Sequence, residues 1–265
     1  IESFLINDIE SYKIIFVDGK YCSHLSETTH DGMDICILSS ALTQSKYDLV
    51  IENYFDKIAK KDGITSLNTA FSSEGSFIHI PKNIQVDKPI QIIYFSTGKN
   101  ESVLYQPRNL VVVDENSQVE IIEKYHSLND NSVLVNTVTE IYADKKSNIK
   151  HYKIQNDNNT SSLIDNTFVS QEHSSSYSLH TFSFGGELIR NNLNIYQNDE
   201  RNVYGVKFDF DGSTATSTQF FLTDSSNHFF RGALYFNTQK SDSLAIIEEY
   251  LKVDVTRIIE TFCWK

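Results

Sequence analysis

The sequence predicts a mainly β protein whose strands repeat along the chain. Its 265 residues include 28 Ile, 16 Val and 17 Phe but only 7 Ala, and β-branched and aromatic side chains favour pleated, half-buried strands. From residue 64 onward, short apolar runs alternate with turns that draw on the 53 Asn and Ser residues of the chain. Many short strands joined by polar turns are typical of a sandwich, a barrel or a solenoid.

Two registers with a nearly fixed spacing favour the β-solenoid among these folds. Asparagines before strand-like stretches are 27, 30 and 26 residues apart, at Asn109, Asn136, Asn166 and Asn192. Polar residues that open a second strand are 30, 28 and 27 residues apart, at Ser117, Ser147, Ser175 and Asn202. A unit of two strands buries its apolar face only when it stacks on its neighbours. A run of β-hairpins in a sandwich gives similar intervals and stays open as the alternative.

A small α/β region, residues 1–63, is predicted to precede the repeats. Residues 12–17 form an apolar run typical of a strand, Asp18-Gly19 is typical of a type I′ turn, and residues 20–23 predict the returning strand. Residues 31–42 predict a further strand with a short helix. The first elements of the chain are therefore expected to mix strand and helix.

One helix is predicted before and one after a solenoid core that covers residues 64–240. Residues 47–60 predict a helix that Gly63 stops, with one apolar face formed by Leu49, Val50, Tyr54 and Ile58. Residues 241–265 predict an amphipathic helix, with helical spacing at Leu244, Ile247, Leu251, Val255, Ile258, Ile259 and Phe262. The core strands are predicted at 77–80, 90–95, 110–113, 119–122, 133–141, 149–154, 177–184, 188–196, 203–210 and 220–222.

Charge and cysteine content narrow the function classes. The chain has 23 basic and 35 acidic residues, a net charge of −12, which argues against nonspecific binding to nucleic acid or to an anionic membrane. No apolar run approaches the roughly 18 residues of a transmembrane helix, and no signal peptide is visible. Cys22, Cys36 and Cys263 form no CxxC pair, so we expect a reducing, cytoplasmic setting. The sequence does not begin with Met, so we expect that it is a fragment of a longer chain.

Three short motifs resemble ligand-binding loops, but turns explain them better. Gly98-Lys99-Asn100 matches only the tail of a P-loop, and Asp209-Phe210-Asp211-Gly212 only the start of an EF-hand loop. Gly185-Gly186 could form an anion-binding nest, but a tight turn between strands is the favoured explanation.

Histidines and glutamates in strands are the other candidates for chemistry. The histidines are His79, His151 and His180, of which the last two occupy similar places in successive units and could stack. Metal binding needs a third ligand nearby, so packed or surface histidines are the simpler interpretation. The glutamates are Glu120, Glu123 and Glu140. They could form a carboxylate cluster for acid–base chemistry if the fold brings them together, but we expect them on solvated strand faces. We assign no catalytic, cofactor-binding or metal-binding residue, and we predict that the chain is not an enzyme.

An ordered set of motifs runs from about residue 12 to residue 235. It comprises residues 14–21, 67–71, 75–82, 88–91, 107–112, 115–118, 136–141, 151–155, 185–193 and 230–232. Together these motifs resemble the SufB/SufD family of iron–sulfur cluster assembly proteins, and SufD fits better than SufB. Gly75-Ser76-Phe77-Ile78-His79-Ile80-Pro81-Lys82 and Gly185-Gly186-Glu187-Leu188-Ile189-Arg190-Asn191-Asn192-Leu193 are among the longest matching runs.

The resemblance implies a fold and a role. The fold expectation is a right-handed parallel β-helix core with the small N-terminal α/β region and the C-terminal helix. The role expectation is a SufD-like scaffold subunit, non-catalytic by itself, that pairs with a SufB-like protein and a SufC-like ATPase in the cytoplasm. No cofactor is expected to be bound stably, and a transient iron–sulfur cluster would belong to the complex. In isolation a homodimer is expected, because uncapped solenoid ends tend to associate.

The chain departs from the family pattern at both ends, so it resembles a truncated SufD core. Only about ten residues of this sequence precede the first match, where the family usually has a longer helical region, and the family's Cys-Ser-His-Gly block does not occur in the sequence. No family metal or cluster residue is therefore carried onto this chain, and Cys263 matches none. The C-terminal helix is expected to cap the open solenoid end, with docking of the ATPase as the alternative. Two other functions stay open: a secreted β-solenoid that binds or cleaves polysaccharide, and a degenerate SufD paralogue with a structural role only.

Overall fold

The computed structural model describes residues 9–28, 30, 32–72, 74–97, 102–128, 132–198, 204–209, 216–223, 229–235 and 242–262. The strands are β1 (Tyr12–Val17), β2 (Lys20–Tyr21), β3 (Asp34–Ile37), β4 (Ser76–Ile80), β5 (Ile90–Ser96), β6 (Ser102–Tyr105), β7 (Arg108–Val113), β8 (Gln118–Ser127), β9 (Ser132–Ala143), β10 (Asn148–Asn156), β11 (Ser161–Gln171), β12 (Ser176–Ser183), β13 (Leu188–Gln197), β14 (Tyr204–Asp209), β15 (Thr216–Thr223) and β16 (Phe229–Tyr235). The helices are α1 (Leu38–Ala41), α2 (Asp48–Tyr54), α3 (Gly63–Phe71) and α4 (Asp242–Thr261).

The first of two compact units, residues 1–198, is a two-sheet solenoid. One sheet has the order β12-β10-β8-β5-β1-β2 and the other β13-β11-β9-β7-β4-β3, with β6 paired to β9. Successive strands from β7 to β13 alternate between the sheets, and same-sheet neighbours pair in parallel. This arrangement confirms the predicted parallel β-helix, which has about 4 turns. Its main hydrophobic core lies between the sheets.

The serine register of the sequence is the structural repeat. Gln118 pairs with Asn148, and Asn148 pairs with Ser176, so the serines before them occupy equivalent turns. The residue before each serine has a positive φ, at Asn116, Lys146 and Ser174. A turn in this conformation reverses the chain from one sheet to the other with few residues. Asn202, the fourth predicted start, lies outside the described residues.

The asparagine register is only partly structural. Asn166 pairs with Asn192 as predicted, but Asn109 pairs with Thr139 rather than with Asn136. Asn109 is the second residue of β7, and its side-chain oxygen accepts hydrogen bonds from Ser76 and Tyr94. The same residue type therefore serves different positions in different turns.

The N-terminal strands extend the solenoid sheets. β1 runs parallel to β5, and β3 runs antiparallel to β4. The β1–β2 hairpin confirms the predicted turn, because Asp18 and Gly19 have φ values of 51° and 72°, as a type I′ turn requires. The N-terminal strands thus belong to the same unit as the solenoid, and the chain divides after residue 198. The predicted division was into residues 1–63, 64–240 and 241–265.

The helix predicted over residues 47–60 is wrong in its second half. α2 ends at Tyr54, and Asp56 has a φ of 58° in the left-handed region. Gly63 begins α3 instead of stopping a helix, because the Asp62 carboxylate accepts a hydrogen bond from the backbone N–H of the third helical residue at 2.8 Å. This is a standard N-cap, and apolar periodicity alone did not reveal it.

The second unit, residues 199–265, differs from the predicted continuation of the solenoid. β14, β15 and β16 form an antiparallel three-stranded sheet, whereas the predicted core ran to residue 240. α4 confirms the C-terminal helix, and its Thr256 hydroxyl accepts a hydrogen bond from Lys207 at 3.1 Å. The proposed capping role of this helix stays a prediction. No helix of the described residues is long and apolar enough to cross a membrane.

Candidate functional site

One interior column of the solenoid changes from aliphatic to charged along its length. Ile14 pairs with Ile92, Ile92 with Glu123, and Glu123 with Lys153. Residues at one register position of parallel strands stack above one another on the same face of the sheet. The exposed fractions of Glu123 and Lys153 are 0% and 3%. The solenoid therefore encloses charges where its first turns enclose isoleucines.

These charges belong to a hydrogen-bonded network that we call the interior cluster. It consists of Glu123, Tyr125, His151, Lys153, Asp165, Thr167 and Tyr177. Lys153 Nζ lies 2.6 and 2.7 Å from the two Asp165 carboxylate oxygens and 3.3 Å from Glu123 Oε2. It also donates to Thr167 Oγ1 at 2.7 Å. One ammonium group thus joins two neighbouring turns and both sheets.

Glu123 gathers the remaining partners of the cluster. His151 Nε2 lies 3.1 Å from Glu123 Oε2, and the Tyr125 hydroxyl donates to Glu123 Oε1. On its other side, His151 Nδ1 lies 3.0 Å from the Tyr177 hydroxyl. The imidazole therefore bridges two turns of the solenoid.

The two carboxyl groups of the cluster respond differently to burial. Burial raises the pKa of Glu123, but the charge of Lys153 and the hydrogen bond from His151 outweigh it and hold that pKa below its usual range. Burial raises the pKa of Asp165 to about 6 despite the attraction of Lys153. Burial lowers the pKa of His151, so this imidazole is neutral at pH 7. The cluster therefore holds two carboxyl groups against one ammonium group.

A second group of charged residues attaches the segment after α2 to the solenoid. It consists of Asp56, Arg108 and Glu140, and we call it the outer clamp. Arg108 Nη2 donates to Glu140 Oε2 at 2.7 Å and to Asp56 Oδ1 at 2.8 Å. The Glu140 carboxylate also accepts the backbone N–H groups of Asp56, Ile58 and Ala59 at 2.9, 3.0 and 3.2 Å. Because Arg108 and Glu140 are 1% and 0% exposed, this pairing neutralises charges that would be costly to bury alone.

The structure separates the three predicted glutamates. Glu123 lies in the interior cluster and Glu140 in the outer clamp, while Glu120 pairs with Lys150 on the outer surface at 2.7 Å. These carboxylates do not converge on one acid–base site. Their separation follows from strand alternation, because Glu120 and Glu123 point to opposite faces of β8.

His151 does not stack on His180, and it is a packed histidine, as the simpler interpretation has it. His151 pairs with Leu179 across the β10–β12 ladder, while His180 stacks on Tyr152 on the outer face with ring centroids 5.2 Å apart. His79 lies between two carboxylates, with Nε2 3.2 Å from Asp114. No group of three or more His, Cys, Asp or Glu side chains in the described part of the chain is arranged to hold a metal ion.

The predicted loop motifs have structural explanations where the structure describes them. Gly185 and Gly186 have φ values of 103° and 98°. A Cβ at Gly185 would lie 2.4 Å from the Asp157 carbonyl oxygen, so the turn needs glycine there to pack on the previous turn. Residues 98–100, residues 210–212 and Cys263 lie outside the described residues. Cys22 and Cys36 are free thiols.

Lys153, Asp165 and Arg108 are not among the candidate residues predicted from the sequence. The alternation of β10 carries a usable indication, because His151 and Lys153 share a face with buried Ile149. Two polar residues on the apolar face of a strand require partners inside the fold. Those partners, Glu123 and Asp165, lie on other strands, so the sequence alone does not identify them.

Two protein-family models match the part of the chain that contains the solenoid. Residues 4–92 match the model described as SufBD protein N-terminal region, and residues 94–208 match the model described as SUF system FeS cluster assembly, SufBD core domain. The chain belongs to the SufB/SufD family. The two matches together run from before β1 into β14, so they include the interior cluster and the outer clamp of this SufB/SufD family chain.

Individual relatives agree with this assignment. An iron–sulfur cluster assembly SufBD family protein of Synechocystis sp. is 28% identical over 75% of this chain and 46% of its own length. Protein ABCI7, chloroplastic, of Arabidopsis thaliana is 31% identical over 56% of this chain and 32% of its own length. The iron–sulfur cluster assembly protein SufD of Bacillus subtilis is 27% identical over 45% of this chain and 28% of its own length. The chain thus spans less than half the length of these relatives.

A third model, described as Gliding motility lipoprotein GldD, matches residues 185–264. This range overlaps the SufBD core match at β13 and β14 and otherwise covers the second unit. The SufBD match ends at residue 208, within the first strand of the antiparallel sheet. The similarity to the SufBD family therefore covers the solenoid unit and extends beyond it only into β14.

Proposed function

We propose that this SufBD family iron–sulfur cluster assembly protein is a SufD-like scaffold subunit, non-catalytic by itself. The observation that carries the proposal is the match of both SufBD models across the solenoid unit. The buried charges support it, because the charged groups of the interior cluster and the outer clamp pair with one another and bind neighbouring elements together. A rigid platform is what a scaffold requires.

The proposed partners are a SufB-like protein and a SufC-like ATPase, in a cytoplasmic complex. In this proposal the iron–sulfur cluster is cargo of the complex, and the chain binds no cofactor stably. In isolation the chain is expected to form a homodimer. The polysaccharide alternative loses its positive feature, because Glu120, Glu123 and Glu140 point to separate places.

Co-expression with the SufB-like and SufC-like proteins of the same source tests the partners by native mass spectrometry. A complex that contains all three chains is the expected result. A complex with the SufB-like protein alone would contradict the ATPase contact. Failure to bind either protein would contradict the scaffold role and favour a degenerate paralogue.

A further inference from the structure

A cleft on the first unit lies outside the interior cluster and the outer clamp. Its volume is about 610 Å³, within the range of roughly 300–1,000 Å³ that small-molecule sites occupy. Its walls are mainly apolar and aromatic, with Phe16, Tyr94 and Tyr105 from strands and Leu67 and Phe71 from α3. We call it the aromatic cleft.

One carboxylate in the wall of the aromatic cleft has an unsatisfied oxygen. Glu74 Oε2 is buried and has no hydrogen-bond partner among the described residues. The Glu74 backbone is held in place, because its carbonyl oxygen accepts the Arg108 N–H at 3.1 Å. The next residue, Gly75, packs so closely on Arg108 that a Cβ would lie 1.7 Å from the Arg108 carbonyl oxygen. A buried polar atom without a partner is uncommon and calls for an explanation.

The other charged groups of the cleft do not neutralise Glu74. The Asp18 carboxylate accepts hydrogen bonds from the Tyr105 hydroxyl at 3.0 Å and from the Thr97 N–H at 2.7 Å. Lys20 lines the cleft with an exposed side chain, so water can solvate its ammonium group. An anionic ligand would therefore meet two carboxylates, whereas a cationic ligand would complete the hydrogen bonding of Glu74.

We propose that the aromatic cleft binds a small organic cation with a flat apolar body, and that its ammonium group pairs with Glu74. Aromatic walls favour a flat apolar body and attract a cation to their ring faces. The carboxylate oxygen that lacks a partner supplies the acceptor for the ammonium group. This site does not depend on the proposed scaffold role.

Fluorescence titration of the full chain with dansylcadaverine tests the proposal, because this probe joins a flat naphthalene to a primary ammonium group. We expect saturable binding to the unchanged chain. Glu74→Gln should weaken binding at least tenfold, and so should acetylation of the amine of the probe. Glu52→Gln, at an exposed glutamate on α2, should leave binding unchanged.

A second variant separates the cleft from the charge. Leu104 lines the cleft and is 46% exposed, so Leu104→Trp should fill the cleft without disturbing the core. It should abolish binding while the melting temperature stays within a few degrees of the unchanged chain. Absence of saturable binding to the unchanged chain would overturn the proposal. Equal affinity for the acetylated probe, or for Glu74→Gln, would overturn it as well.

Discussion

At the scale of single residues, Lys153 is the only ammonium group within the interior cluster. It faces Asp165 at 2.6 Å and Glu123 at 3.3 Å, and removing one partner of a buried ion pair leaves an uncompensated charge. We expect Lys153→Met to lower the free energy of unfolding by about 3–5 kcal/mol at pH 7. Urea denaturation followed by circular dichroism measures this change.

Lys150 provides the matched control on the same strand. It pairs with Glu120 at the surface, with side chains 42% and 38% exposed. Exposed pairs of this kind contribute about 1 kcal/mol or less, so Lys150→Met should change stability by no more than that. Equal losses for the two variants would contradict the account of the interior cluster.

Asp165 should make stability depend on pH. Burial raises its pKa from 3.8 to about 6, so the folded chain holds this proton more tightly than the unfolded chain does. This contribution to the free energy of unfolding is full below about pH 4 and is lost as the pH rises through about 6. Asp165→Asn cannot titrate, so its stability relative to the unchanged chain should rise over that interval, by up to about 1.4 kcal/mol per pH unit.

Urea denaturation of both chains at several pH values between about 4 and 6 tests the sign. Taking the difference between the two chains cancels the titration of groups that both share. A constant difference, or one that falls with rising pH, would show that Asp165 is not the titrating group.

At the scale of elements, the outer clamp fixes the segment between α2 and α3. Glu140 accepts three backbone N–H groups from this segment as well as the Arg108 guanidinium. Glu140→Ala removes all of these acceptors. We expect the Ile58 and Ala59 amides to exchange with solvent at least tenfold faster, as hydrogen-exchange mass spectrometry would show.

Glu120→Ala is the control for the outer clamp, because Glu120 contacts a surface lysine instead. It should leave exchange in residues 55–59 unchanged, and strands β7 and β9 should stay protected in both variants. Loss of protection throughout the solenoid after Glu140→Ala would mean that the clamp supports the whole unit.

The elements that sequence predicted best are those fixed by local pattern. The hairpin at Asp18-Gly19 and the turns before Ser117 and Ser147 depend on residues close in sequence. The break between α2 and α3 depends on the Asp62 cap, and the apolar spacing of residues 47–60 obscured it. β14 has the strand pattern of a further solenoid turn, but it pairs antiparallel with the next strand, β15, and apolar periodicity does not distinguish this partner from an earlier strand of the solenoid.

The site was less predictable than the fold for the same reason. Alternation along a strand tells which residues share a face, so it indicates that His151 and Lys153 lie inside. Which carboxylates meet them depends on how three strands, β8, β10 and β11, stack. Glu74 gave no indication in sequence, because its missing partner is a property of the packed cleft.

At the scale of the whole molecule, the described part of the solenoid unit contains its own hydrophobic core. Among the described residues, the hydrophobic clusters that hold the solenoid together lie within residues 12–195. We therefore expect a chain that ends at Asn198 to fold, with a β-rich circular dichroism spectrum and a cooperative thermal transition. A spectrum typical of an unfolded chain would show that the second unit is required for folding.

The proposed role as a scaffold subunit concerns the whole molecule, and an assay of cluster assembly tests it. The SufB-like and SufC-like proteins, with and without this chain, would be supplied with ferrous iron, a sulfur donor, ATP and an apo-ferredoxin acceptor, and cluster formation would be followed by visible absorbance. We expect at least threefold more holo-ferredoxin when this chain is present, and none when the chain is alone. Equal yields with and without the chain would contradict its role as a scaffold subunit.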